Sequence, residues 1–207
     1  MKIAGAIFDF DGTLFDSMSI WDTAGENYLR SLGREPASDL SSTLSAMSLY
    51  QAAVYLRETY GLSLCVEEIM DGINKTVEDF YFYSAMPKPG VPEFLERLHL
   101  QGIKMCIATA TDRYQIEAAL ERCGLTRYFG EIFTCTAVGH GKDEPHIYEA
   151  ALEFLGTAKA ETLVFEDALH AIRTAKAAGF PVAAVYDPHE PNQAEVRSTA
   201  DLCLEEF

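Results

Sequence analysis

The feature that most constrains the fold of this chain is a set of short apolar runs separated by helical patterns. The runs are rich in β-branched or aromatic residues, and they are too short for helices and too continuous for exposed edges. They comprise residues 3–8, 104–108, 132–134, 162–165 and 182–186. We interpret them as buried strands of a parallel sheet, which is covered on both faces.

Apolar stripes at helical spacing lie between these runs. Each stripe ends at a glycine that suits a C-terminal helix cap. The glycines are Gly102, Gly124, Gly156 and Gly179. Because strand and helix alternate, the sequence predicts a doubly wound α/β fold with a parallel sheet.

One segment interrupts the alternation. Between the first predicted strand and the turn at Pro87-Lys88-Pro89-Gly90, about seventy residues show helical spacing and no strand pattern. Its two apolar stripes are Trp21, Ala24, Tyr28 and Leu32, and Ile69, Ile73, Val77 and Phe80. We therefore expect an α-helical cap domain at residues 16–86, inserted into an α/β core formed by residues 1–15 and 87–207.

The net charge argues against nucleic acids and membrane surfaces as partners. The 207 residues include 32 Asp and Glu against 16 Lys and Arg, which gives a formal charge of −16. Such a field repels phosphate backbones and anionic lipids. A small anionic substrate therefore has to be held locally, by a metal ion, a lysine or backbone N–H groups.

Cysteine usage and hydropathy favour a cytoplasmic protein. The five cysteines form no C-x-x-C pair and mostly have apolar neighbours, which is typical of free thiols in a reducing compartment. The apolar start reaches Asp9 and Asp11 too early for a signal sequence, and no run approaches the roughly 20 apolar residues of a membrane span. No obligate protein partner is evident from the sequence.

Two acids follow the first predicted strand directly, in Asp9-Phe10-Asp11-Gly12-Thr13. A doubly wound sheet binds its ligand at the carboxyl ends of its strands, which makes Asp9 and Asp11 candidate functional residues. Gly12 permits a turn between them and the next segment. Taken alone, the two acids are explained equally well as turn formers or helix caps.

Polar residues follow other predicted strands as well. The second strand ends at Thr109-Ala110-Thr111, where hydroxyls and helix N–H groups can hold a phosphate. The fourth strand ends at Glu166-Asp167, and Lys142 lies in the loop after the third. Alone, each has an ordinary explanation: a helix cap, acids that complement a helix dipole, and a solvated lysine.

Taken together, the acids indicate a metal ion. We expect Asp9, Asp11, Glu166 and Asp167 to converge at one edge of the sheet. Two like charges about 4 Å apart repel by roughly 4 kcal/mol at an effective dielectric constant of 20, so this crowding requires a cation. Because the ligands are carboxylate oxygens, the sequence favours Mg²⁺ over zinc.

In order and position, these elements resemble the motifs of the haloacid dehalogenase superfamily, and the resemblance covers nearly the whole chain. The segment Asp9-Phe10-Asp11-Gly12-Thr13-Leu14 is similar to the first motif, Thr109 to the second, Lys142 to the third and Glu166-Asp167 to the fourth. The superfamily also has a helical cap after the first motif and a Pro-Gly return to the core. Residues 16–86 and Pro89-Gly90 resemble these features.

The resemblance implies covalent phosphoryl transfer. Asp9 would attack phosphorus and become an aspartyl phosphate, while Asp11 would protonate the leaving oxygen and then activate water. The implied metal ligands are Asp9, the backbone carbonyl of Asp11 and Asp167, with Glu166 as a ligand or a neighbour of the ligands. The implied binding groups for the phosphoryl oxygens are Gly12, Thr109, Ala110 and Lys142. Relatives that attack carbon lack the second acid, so Asp11 also implies a phosphate ester.

Two positions after Lys142 differ from the superfamily pattern. Asp143 stands in place of a proline, and His146 in place of an acid that commonly helps to orient the lysine. Asp143 and Glu166 are the alternatives for that orienting role. The scattered histidines share no metal-ligand spacing, and we interpret them as surface or structural residues. They are His140, His146, His170 and His189.

The leading prediction is a Mg²⁺-dependent phosphatase that acts on a small phosphomonoester metabolite. A phosphosugar mutase of the β-phosphoglucomutase kind is a close alternative, because it shares the core residues and returns the phosphoryl group to the sugar. Mutase relatives bind a second phosphate with cap residues, whereas the predicted cap has few Lys and Arg. A phosphonate-cleaving relative would use a cap lysine, for which Lys75 is the candidate. A non-catalytic binding protein on the same fold is the third alternative.

Overall fold

The computed structural model describes residues 2–44, 47 and 49–207, and the chain divides into two compact units. One unit contains the chain up to Asp16 together with Ala85–Phe207, and the other is Ser17–Ser84. The chain therefore leaves the first unit after Asp16 and re-enters it at Ala85.

A parallel sheet of six strands forms the centre of the first unit. The strands are β1 (Gly5–Phe8), β2 (Lys104–Thr109), β3 (Ile132–Thr134), β4 (Thr162–Glu166), β5 (Val182–Val185) and β6 (Leu202–Leu204). Their order is β3-β2-β1-β4-β5-β6, and every neighbouring pair is parallel. The predicted α/β fold with a doubly wound parallel sheet is confirmed.

The strand order reverses between β1 and β4, the two central strands. Phe8 is aligned with Phe165 across this pair, and their rings stack with centroids 4.4 Å apart. Ligands of doubly wound sheets bind beyond the carboxyl ends of the strands at such a reversal. Asp9 and Glu166-Asp167 lie at these two strand ends.

Helices account for most of the remaining structure in the described residues. They are α1 (Met18–Ser31), α2 (Leu40–Leu44), α3 (Leu49–Tyr60), α4 (Val66–Tyr83), α5 (Val91–Leu100), α6 (Arg113–Arg122), α7 (Cys135–Val138), α8 (His146–Leu155), α9 (Leu169–Ala177) and α10 (Gln193–Thr199). Two 3₁₀ turns, Thr126–Tyr128 and Lys159–Glu161, precede β3 and β4. The four glycine-terminated stripes correspond to α5, α6, α8 and α9.

The main core of the first unit lies between the sheet and its helices. Ile7, Cys106, Val164 and Val182, from four neighbouring strands, are fully buried. They belong to one cluster with residues of α8, α9 and α10. The strands are continuously apolar because neither face of the central sheet is exposed to water.

The sequence did not predict β6. Its residues Leu202 and Cys203 are exposed, and it pairs only at the edge of the sheet with β5. A strand of three residues with little burial has no apolar run long enough to be recognised by periodicity.

The described residues of the second unit include the helices α1 to α4. Ala24 and Tyr28 of α1 and Ile69, Ile73 and Val77 of α4 are buried. The two helices approach closely at Gly72, where an added Cβ atom would lie 2.2 Å from the Tyr28 ring. Helix α4 begins with a reciprocal capping box, in which Cys65 Sγ accepts from the Glu68 N–H and Glu68 Oε2 accepts from the Cys65 N–H.

None of the helices in the described part of the chain combines the length and the hydropathy needed to cross a bilayer.

Candidate active site

The loop after β1 holds its two acids in a tightly bonded turn. The backbone N–H of Asp9 donates to the carbonyl of Phe165 over 2.9 Å, which joins the ends of β1 and β4. Gly12 has a φ of +76°, a conformation that suits glycine, and its N–H donates to the Phe15 carbonyl. The buried rings of Phe10 and Phe15 stack beneath this turn, with centroids 4.2 Å apart.

Three buried acids converge beside this turn. Carboxylate oxygens of Asp9, Glu166 and Asp167 lie within 4.8 Å of one another. All three side chains are nearly inaccessible to solvent. The Thr13 hydroxyl donates to Asp167 Oδ1 over 3.0 Å and orients that carboxylate. Of the four acids expected to converge, these three do so, and Asp11 is not a member of the group.

Lys142 reaches into the same cluster from the loop after α7. Its Nζ forms ion pairs with Asp9 Oδ1 and with Glu166 Oε1, the latter over 2.5 Å. The Tyr148 hydroxyl donates to the same Glu166 oxygen over 2.9 Å. Of the two alternatives for orienting Lys142, the structure has Glu166 in contact with it, whereas Asp143 is exposed.

The end of β2 contacts Asp11 through Thr111. The Thr111 hydroxyl donates to Asp11 Oδ2 over 2.6 Å, and the Thr111 N–H donates to the Thr109 hydroxyl oxygen over 3.1 Å. Thr109 is fully buried, and Ala110 is exposed. The Asp11 carboxylate is thus engaged by a threonine and is not one of the three converging acids. The expected role of the Asp11 backbone carbonyl as a metal ligand stays a prediction.

The pKa shifts in the cluster indicate that its acids have more negative charge than Lys142 neutralises. Burial raises the pKa of Glu166 to about 7, even though the Lys142 ammonium opposes the shift. Burial, followed by repulsion from Asp9 and Glu166, raises the pKa of Asp167 well above its ordinary value. Burial alone would lower the pKa of Lys142, but its two carboxylate partners outweigh that effect and raise it. Together, these shifts indicate a site that favours an added cation.

Two groups near the site were not identified from the sequence. Tyr148 is a buried aromatic residue on α8, and its sequence context indicates only a packing role. The structure shows that its hydroxyl also donates to Glu166. Asp187, just after β5, is a fully buried acid that pairs with Lys88 over 2.9 Å and with His189 over 2.8 Å. An acid directly after the fifth apolar run was a signal comparable to those at the first and fourth strands.

Known proteins share both the sequence pattern and the fold. The family model described as haloacid dehalogenase-like hydrolase matches residues 6–185. The chain is 28% identical over 149 residues to the phosphorylated carbohydrates phosphatase of Thermotoga maritima, which covers 72% of this chain and 69% of that protein. It is 27% identical over 212 aligned positions to protein CbbY of Rhodobacter capsulatus, with 97% of this chain and 92% of that protein covered.

A solved structure shares the fold of this chain. CbbY from Rhodobacter sphaeroides, in complex with phosphate, superposes with a TM-score of 0.86 at 21% identity, and the alignment covers 99% of this chain and 95% of that one. The family match extends from β1 to the end of β5 and includes Asp9, Lys142 and Asp167. The chain therefore belongs to the haloacid dehalogenase-like hydrolases, and it is an enzyme of their phosphohydrolase branch.

Proposed function

We propose that this enzyme is a Mg²⁺-dependent phosphatase that hydrolyses a small phosphomonoester through a phosphorylated Asp9. The observation that carries the proposal is the buried cluster at the ends of β1 and β4, where Lys142 contacts both Asp9 and Glu166 beside Asp167. A nucleophilic carboxylate, a fixed cation and a further pair of acids are the groups that phosphoryl transfer requires.

The donor set fits a magnesium ion. Asp9, Glu166 and Asp167 offer only carboxylate oxygens, which Mg²⁺ prefers, and their negative charge exceeds what Lys142 balances. Asp9 and Asp167 would hold the ion, with Glu166 as a ligand or a neighbour that also holds Lys142. When bound, Mg²⁺ neutralises charge on the phosphoryl oxygens.

In the first half of the proposed reaction, an Asp9 carboxylate oxygen attacks phosphorus. The bond from phosphorus to the ester oxygen breaks as the Asp9–phosphorus bond forms. Asp11 gives a proton to the departing oxygen, so the product leaves as a neutral alcohol. Lys142 and the Thr109 hydroxyl bind the phosphoryl oxygens that carry the charge, together with backbone N–H groups near Gly12 and Ala110.

In the second half, Asp11, now ionised, takes a proton from water. The water oxygen attacks phosphorus and the Asp9–phosphorus bond breaks, so inorganic phosphate is released, Asp9 is again a carboxylate and Asp11 again carries its proton. The Thr111 hydroxyl on Asp11 Oδ2 supports this role, because it limits the orientations of the carboxylate that handles both protons. Asp11 returns to its starting state once per turnover.

We further propose that the helical insertion, residues 16–86, acts as a cap that excludes bulk water during the reaction. Its insertion directly after the first catalytic loop supports this assignment. The phosphatase from T. maritima, whose name specifies phosphorylated carbohydrates, supports a small phosphorylated metabolite, such as a sugar phosphate, as the substrate.

Hydrolysis is favoured over mutase chemistry by the charges of the helical unit. A mutase holds a second phosphate, which requires basic groups, and residues 17–84 contain four Lys and Arg: Arg30, Arg34, Arg57 and Lys75. Arg30 pairs with Glu26 and Lys75 pairs with Glu78 on their own helices, which neutralises two of the four. This unit therefore has little positive charge to bind a second phosphate.

A panel of phosphorylated metabolites incubated with the enzyme and Mg²⁺ tests the proposal. Both inorganic phosphate and isomerised product are measured. We expect phosphate release that depends on Mg²⁺ and disappears in the Asp9→Asn variant. Isomerisation without net phosphate release would instead identify a mutase, and the absence of both products across the panel would favour a binding protein.

A further inference from the structure

A second cluster of metal-ligating side chains lies on the outside of the Lys142 loop. His140 Nδ1 is 3.0 Å from Glu144 Oε2, and His146 Nε2 is 2.9 Å from the same oxygen. The two imidazole rings lie next to each other, with centroids 4.0 Å apart. One ligand atom from each residue lies within 4.8 Å of the other two. All three side chains are about half exposed, so an ion from solution has access to them.

The local backbone explains why these residues converge despite an irregular spacing in sequence. Helix α7 ends at Gly139 in the left-handed conformation, with φ +81°. The chain then turns at Gly141, whose carbonyl accepts from the Glu144 N–H, and a Cβ atom at Gly141 would lie 2.5 Å from Asp143 Oδ1. Pro145 precedes α8, so His146 occupies the first position of that helix.

We propose that His140, Glu144 and His146 form a binding site for a zinc-class divalent cation, distinct from the acidic cluster at Asp9. Two imidazoles and one carboxylate are a ligand set that suits zinc and its neighbours in the transition series, whereas Mg²⁺ prefers oxygens alone. In a tetrahedral site with bonds of about 2.0–2.1 Å, adjacent ligand atoms are about 3.3 Å apart. The two nitrogen–oxygen separations are within a few tenths of an ångström of that spacing.

The proposed site contains Lys142 within its span. His140 precedes the lysine, and Glu144 and His146 follow it, so a bound ion links the two sides of the loop that carries Lys142. The Lys142 ammonium pairs with Asp9 and Glu166, so two buried carboxylates oppose its positive charge. A bound ion would therefore reduce the motion of the loop without competing for Lys142.

Zinc titration of the 207-residue protein tests this inference without reference to catalysis. Millimolar Mg²⁺ is present throughout to occupy the acidic cluster, and Cys65→Ser with Cys203→Ser removes the two exposed thiols. Zinc affinity is measured by competition with a chromophoric chelator. We expect His140→Ala and His146→Ala each to weaken binding by at least about tenfold, because each removes a direct ligand. His99→Ala, which changes an exposed histidine on α5, serves as the matched control and should leave the affinity unchanged.

Histidine ring resonances give an independent readout. Zinc should shift the ring signals of His140 and His146 and leave those of His170 and His189 in place. Failure of the parent protein to bind zinc, equal affinity in the two histidine variants and the parent, or ring shifts confined to the other histidines would each overturn the inference.

Discussion

At the scale of single residues, Lys142 is the group on which the acidic cluster most depends. It is buried and pairs with two carboxylates that are also buried. Removing one partner of a buried ion pair leaves an uncompensated charge, which costs more than the pair itself contributes.

Lys142→Met should therefore lower the free energy of unfolding of the metal-free protein by about 3–5 kcal/mol. Lys176→Met is the matched control in the same unit, because Lys176 pairs with the partly exposed Asp201 and should lose no more than about 1 kcal/mol. Urea unfolding is followed by circular dichroism, since the single tryptophan, Trp21, lies in the helical unit. Equal losses in the two variants would contradict a buried charge network around Lys142.

Thr111 tests how Asp11 is oriented. Asp11→Asn removes the proposed proton donor and acceptor and should lower kcat by about 10²–10⁴-fold. Thr111→Val removes only the hydroxyl that contacts Asp11 Oδ2, so its loss in kcat should be smaller, with little change in KM. Steady-state kinetics on any substrate found active measure both. A Thr111→Val variant with parental kcat would show that the hydroxyl does not orient the acid.

At the scale of secondary-structure elements, the return from the helical insertion into the core depends on Gly90. This residue precedes α5 with φ +82°, and a Cβ atom there would lie 2.5 Å from the backbone oxygen of Phe207. Gly102, just after the other end of α5, also has a positive φ. A Cβ atom added at Gly102 would have no atom of the described residues within 4 Å.

The pair Gly90→Ala and Gly102→Ala separates backbone strain from steric collision. In both variants, the left-handed conformation should lower the free energy of unfolding by roughly 1–2 kcal/mol. Gly90→Ala should lose more, because the backbone at Phe207 must also move. Thermal or urea unfolding provides the comparison, and an equal loss in both variants would argue against a close approach at Gly90.

The alternation of strands and helices could be predicted because the pattern of each element is local. β6 could not be predicted, because its segment is short and exposed and has almost no periodic pattern. It forms a strand through its pairing with β5, which the local sequence does not reveal. At the site, the four strand-end motifs could be recognised because parallel strands bring their carboxyl ends to one edge. The roles of Tyr148 and Thr111 could not be predicted, because a hydroxyl contact depends on side-chain positions that spacing does not specify.

His140 and His146 are exposed, in agreement with the interpretation of the histidines as surface or structural residues, but their common contact with Glu144 was not predicted. Their spacing matches no common metal motif, yet the turn at Gly139 and Gly141 brings both rings to Glu144. Backbone turns of this kind are determined by glycine conformations that a ligand-spacing rule does not include.

At the scale of the whole molecule, stability and metal binding should be linked through the buried acids. The pKa of Glu166 in the folded protein is raised to about 7 from an ordinary value of 4.5. Between these two pH values, the folded state therefore retains a proton that the unfolded state has lost. This contribution to stability is fully present below the ordinary pKa and is lost as the pH rises through about 7. The raised pKa of Asp167 acts in the same direction.

Magnesium should compete with those protons. The rise in melting temperature produced by saturating Mg²⁺ should therefore be larger near pH 8 than near pH 6, and Mg²⁺ binding should release protons. Calorimetric titration in buffers of different ionisation enthalpy measures the released protons directly. A stabilisation by Mg²⁺ that is independent of pH would indicate that the ion binds away from Glu166 and Asp167.

The measurement that tests the central claim most directly is the location of the phosphoryl group during turnover. The enzyme is mixed with substrate and Mg²⁺, quenched in acid within the first turnover, digested, and mapped by mass spectrometry. We predict one phosphoryl group on the peptide that contains Asp9, and none when Asp9→Asn is treated in the same way. A phosphoryl group on another residue, or full phosphate release by the Asp9→Asn variant, would contradict the assignment of Asp9 as the nucleophile.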